Sequence, residues 1–94
     1  MTLHEFKASL QATAPPASLT ASLKALWYDG KGDWETSHNI AQDIHTAEGS
    51  WIHAYLHRKE GDAGNASYWY QRAGKKMSQE SLEKEWEQIV HALL

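Results

Sequence analysis

"WIHAYLHRKEGDAGNASYWYQRAG", residues 51–74, decides how the chain is read. Ile52, Tyr55 and Leu56 recur at helical spacing, and the pattern stops at Glu60-Gly61-Asp62. A second set, Ala66, Trp69, Tyr70 and Ala73, follows at the same spacing and stops at Gly74. A period near 3.6, with no two-residue alternation, describes two amphipathic helices. Glycine permits the tight reversal between them, and Asp62 is suited to accept from the free N–H groups that open the second helix. The stretch reads as a helical hairpin.

Working outward, the same grammar recurs 29 residues earlier, where Gly32-Asp33 matches Gly61-Asp62. Leu23, Leu26 and Trp27 then fall on Ile52, Tyr55 and Leu56, and Ala25 falls on Ala54. Beyond the turn, Ser37, Ile40, Ala41 and Ile44 fall on Ala66, Trp69, Tyr70 and Ala73. Small and apolar classes match at nearly every inward position, as two copies of one unit require. The units are expected at about 18–45 and 47–74, with Ser18 and Asp33 as helix caps in the first and a turn over Thr46–Ser50 leading into the second.

The flanks read as helices too. Thr2 and Glu5 form a capping box ahead of Leu3, Phe6 and Leu10, a short helix ending near Thr13. "APPAS" (14–18) then breaks the chain, since proline lacks a donor and restricts the residue before it. After "GKKMS" (74–78), a capping helix over about 78–93 carries Leu82, Trp86, Ile89 and Leu93 in one stripe. Its glutamates, Glu80, Glu83, Glu85 and Glu87, are expected to face solvent, with a dimer contact as the alternative. The fold class is therefore all-α, about six helices, in a single domain over residues 1–94.

Residues 60–74, "EGDAGNASYWYQRAG", resemble the turn and second helix of tetratricopeptide and Sel1-like repeats. Ala66, Tyr70 and Ala73 match the small–aromatic–small order of that helix, and Ala54 matches the small residue of the preceding one. The first copy departs from it, with Ala41 in the aromatic position and Ile44 in the last small one. The period is also shorter than the tetratricopeptide period. Trp51–Gly74 is similar as well to short bacterial proteins carrying a "WYxRAG" pattern, a likeness that implies no activity. The repeat resemblance implies two stacked antiparallel hairpins between terminal helices, with a groove that binds a protein or peptide partner.

Composition narrows the function. Five Trp and four Tyr supply large buried areas to a chain of only 94 residues. A net charge of −3 provides no basic field for nucleic acid or acidic membranes. "YWYQRAGKK" (68–76) interleaves aromatics with cations, but Trp69 and Tyr70 belong to the buried stripe. Arg72, Lys75 and Lys76 sit where they favour a helix dipole, so no nucleic-acid partner is expected. No cysteine is present, which removes disulfides and thiolate chemistry. No apolar run approaches the roughly 20 residues of a membrane span, and the polar start is unlike a secretory signal. A cytoplasmic monomer or homodimer is expected. Neither a phosphate-binding loop nor a Gly-x-Ser-x-Gly elbow is found.

The histidines carry what chemistry there is. His53 and His57 stand one helical turn apart on a path with Ser50 and Glu60, and Glu35, His38, Gln42 and His45 form a similar polar stripe beside the apolar one. In the repeat alignment His57 replaces Tyr28 at an inward position, and His53 replaces Lys24 at a rim position. The leading expectation is a non-enzymatic adaptor without a cofactor, its groove lined by Tyr28, Glu35, His38, His53, His57 and Arg58. The alternative is a small zinc-type protein, hydrolytic or not, with Glu35, His38, His53 and His57 as ligands. Whether the histidine rings converge separates the two.

Overall fold

The computed structural model describes Met1–Leu94 and contains six helices. They are α1 (Leu3–Ser9), α2 (Ala21–Gly30), α3 (Trp34–Ala41), α4 (Ala47–Lys59), α5 (Ala63–Arg72) and α6 (Leu82–Leu93). The most extensive pairings are α4 with α5 and α2 with α3, the two expected hairpins. Further contacts join α3 to α4, α2 to α4, and α6 to α1, α2 and α4. No helix is long and apolar enough to cross a membrane.

Both Gly-Asp turns have the predicted chemistry and the same shape. Gly32 and Gly61 adopt φ of 85° and 88°, a region that disfavours side chains. Asp33 and Asp62 share dihedrals near φ −100°, ψ 75° and φ −96°, ψ 80°. Their carboxylates accept from Thr36 and Asn65 N–H, while their own N–H groups donate to Tyr28 and His57 carbonyls at 2.9 Å. Removing such a cap costs about 1 kcal/mol. The Thr2–Glu5 capping box is also formed, with both reciprocal bonds in place.

Helix ends differ from expectation where a better cap lies nearby. Thr20, rather than Ser18, caps α2 by accepting from Leu23 N–H. α3 stops at Ala41, so Ile44 and His45 leave the helix. The expected turn at Thr46–Ser50 is instead the start of α4, because Thr46 accepts from Gly49 N–H at 3.1 Å. Gly49 itself is required by crowding: a Cβ there would come within 2.2 Å of the Ile44 carbonyl oxygen.

The main core gathers Phe6, Leu23, Leu26, Trp27, Ile52, Tyr55, Leu56, Trp86, Ile89 and Val90 from four helices. A smaller cluster of Ala54, Ala66 and Tyr70 closes the α4–α5 hairpin, where the two alanines let the helices approach. One expectation about α6 is overturned. Glu85 is not solvated but 1% exposed. It accepts from both Arg58 (2.8 Å) and Tyr70 (2.6 and 2.8 Å), and from Trp51 at 3.2 Å. Three donor groups on one carboxylate compensate its loss of water.

Candidate metal centre

Three of the expected site residues come together. His38 on α3 meets His53 and His57 on α4, and one ligand nitrogen from each lies within 4.8 Å of the others. The Nε2 atoms of His38 and His53 are 3.0 Å apart. Helix geometry accounts for the pair on α4, since side chains four residues apart share a face. The α3–α4 contact brings His38 to them.

Flat aromatic walls hold the rings. Trp34 stacks on His38 with centroids 4.8 Å apart, and its indole N–H is fixed by the Leu56 carbonyl at 2.8 Å. On the α5 side, Trp69 stacks on His53 at 4.0 Å. His53 and His57 are themselves stacked at 4.8 Å, so the imidazoles sit between two tryptophans. His53 was expected at a rim; at 6% exposure it is buried. Lys24, its equivalent in the first hairpin, is partly exposed, and the smaller Ile40 stands in α3 where α5 has Trp69.

The surroundings of two of the rings, His53 and His38, disfavour protonation. Burial, reinforced by the neighbouring His38 and His57, lowers the pKa of His53 to about 4. Burial also lowers that of His38, with His57 adding to the effect. Neutral imidazole is the form that ligates a metal. On the outer side, His57 Nδ1 is 2.6 Å from Glu60 Oε1. Donating Nδ1–H to that carboxylate leaves the Nε2 lone pair free, which is how metal-binding histidines are commonly oriented.

The geometry suits a small divalent ion. Nitrogens in a tetrahedral zinc site, with bonds of about 2.0–2.1 Å, stand about 3.3 Å apart. The 3.0 Å pair already approximates this, and a His57 nitrogen lies within 4.8 Å of both. Three neutral ligands leave a fourth position available and the charge of the ion uncompensated. A second grouping, His57 with Glu60 and Asp62, shares His57 with the triad but has two exposed carboxylates.

The other expected residues go elsewhere. Glu35 is exposed and belongs to neither converging group. Tyr28 packs edge-on against Trp27 at 5.3 Å, beside the main core. Arg58 is turned away to α6, bound to Glu85 and to the Glu80 carbonyl. Sequence reasoning set Glu60 on the path of His53 and His57 without giving it a role, and missed Trp34 and Trp69 as parts of the site. Glu60, three residues after His57, carried a legible signal; the tryptophans did not, since indole stacking on a ring of another helix leaves no spacing to read. Neither the protein-family models nor the curated proteins nor the solved structures compared with this chain give a match.

Proposed function

We propose that this protein binds one divalent transition-metal ion, zinc by ligand type, through His38, His53 and His57, with Glu60 orienting His57. The observation that carries the reading is the convergence of three imidazoles from two helices, His53 buried and His38 and His57 partly so, with one ligand nitrogen of each within 4.8 Å of the others. Hydrogen bonding accounts for the His38–His53 pair alone, but it gives no reason for a third ring with its outer nitrogen held by a carboxylate. An all-imidazole set of borderline softness favours zinc over magnesium or calcium, which prefer oxygen.

Equilibrium dialysis of purified protein against zinc tests this. One ion per chain is expected, lost in His53→Ala/His57→Ala. Substoichiometric metal that the double variant leaves unchanged overturns it.

A second reading keeps the hairpins as tetratricopeptide- or Sel1-like units that bind a protein or peptide. The shared dihedrals of the two Gly-Asp turns favour it. It ranks below the metal reading because Tyr28 and Arg58, two of its six groove residues, are engaged in internal packing.

A further inference from the structure

Beside the triad, on the Trp69 side of His53, lies a cavity of about 280 Å³. It is open to solvent and bounded by the loop after α3, the first turns of α4 and the last turn of α5. Its polar lining is rich in groups that can donate: Arg72, Gln42, His45, Thr46, Ser50 and His53. No aspartate or glutamate lines it, although the chain carries 12 acidic residues against nine lysines and arginines. Ala41, Ile44, Ala47 and Trp69 add apolar surface.

Two of these groups remain available to a ligand. The Arg72 guanidinium has no carboxylate; it lies over the rings of Tyr68 and Trp69 at 5.8 and 5.5 Å and reaches only the Tyr68 hydroxyl, at 3.3 Å. The other arginine, Arg58, is paired with Glu85. Ser50 is 8% exposed, yet its hydroxyl makes no hydrogen bond within the protein and its residue lines the cavity. Ala47 N–H, the first of α4, is likewise without a partner, at the end of the helix where the dipole favours negative charge.

We propose that this cavity binds a small organic carboxylate, its anionic end on Arg72 and Ser50 and its apolar part on Trp69 and Ile44. Guanidinium offers a planar pair of N–H groups that matches a carboxylate. The volume admits a ligand of benzoate size. Trp69 is shared: it stacks on His53 and carries Arg72, so an occupant lies next to the imidazole triad. The pocket is argued from its own lining and does not depend on the metal reading.

The test is calorimetric titration of benzoate, acetate and inorganic phosphate into the metal-free protein and, separately, into protein dialysed against zinc. Benzoate is expected to bind metal-free protein with a Kd below 1 mM (on the order of −4 kcal/mol or better) and more tightly than acetate. Arg72→Gln, at an exposed position that leaves the fold intact, is expected to weaken it at least tenfold, and Ser50→Ala severalfold. Benzoate binding that neither substitution changes, or no binding of benzoate at 10-fold that concentration, overturns the proposal. Phosphate binding tighter than benzoate overturns the carboxylate assignment. Zinc dependence is read separately: zinc failing to bind while benzoate still responds to Arg72→Gln refutes the metal centre and supports the pocket.

Discussion

Glu60 Oε1 stands 2.6 Å from His57 Nδ1, and that contact decides which nitrogen of His57 faces the triad. The two residues lie three apart at the end of α4, so the carboxylate reaches the imidazole across less than one helical turn. Because the metal is argued to see only Nε2, Glu60 acts on it through His57. Glu60→Gln keeps the size but replaces the anionic acceptor with a neutral one. Zinc affinity is expected to fall about 10-fold or more, with stoichiometry unchanged. Competition against a chromogenic chelator measures this, and an unaltered affinity would remove Glu60 from the account.

Burial of Glu85 predicts a stability effect far from the triad. Arg58 is its cationic partner at 2.8 Å, so Arg58→Met leaves a carboxylate that is 1% exposed without its counter-charge. Loss of one partner of a buried pair costs about 3 kcal/mol. Urea unfolding of Arg58→Met should register that loss, and Arg58→Met/Glu85→Gln should recover part of it. A double variant less stable than Arg58→Met would contradict the pairing.

Two helical glycines should respond in opposite directions to alanine. Gly64 in α5 has open space, its nearest neighbour 3.9 Å from an added Cβ, so Gly64→Ala should raise stability by about 0.5–1 kcal/mol. Gly49 in α4 has the Ile44 carbonyl oxygen 2.2 Å from that position. The backbone must shift, and Gly49→Ala should cost about 1–3 kcal/mol despite the better helix propensity. Thermal unfolding of the pair checks both signs.

The pH dependence follows from burial of His53 and His38. Unfolded imidazoles take up protons near pH 6.5, whereas folded His53 does so only near pH 4. Between these values the unfolded chain binds more protons, so stability falls as pH falls. For the metal-free protein the contribution is complete above about pH 6.5 and is lost progressively towards pH 4. Urea midpoints at pH 6.5 and 5.0, a range in which ordinary carboxylates stay largely ionised, should drop in wild type and drop less in His53→Gln. Equal drops in the two proteins would assign the effect elsewhere.

Much of the fold is legible in the sequence because it rests on local chemistry. Asp33 and Asp62 cap helices that begin beside them, and Gly32 and Gly61 supply a backbone conformation other residues avoid. Glu85 was not legible: its neighbours Glu83 and Glu87 share its chemistry, and only the approach of Arg58, Tyr70 and Trp51 from α4 and α5 distinguishes it. The site was half legible. Spacing places His53 and His57 on one face, but Glu35, His38, Gln42 and His45 form one continuous stripe on an uninterrupted helix. Only the end of α3 at Ala41 and its contact with α4 select His38 from that stripe.

Zinc-edge X-ray absorption on protein loaded with one equivalent counts the imidazoles around the ion. Three imidazole nitrogens and one further light ligand are expected at about 2.0–2.1 Å. His57→Ala should reduce the imidazole count by one. A first shell of oxygen alone, or one indifferent to loss of His57, would contradict the three-histidine centre.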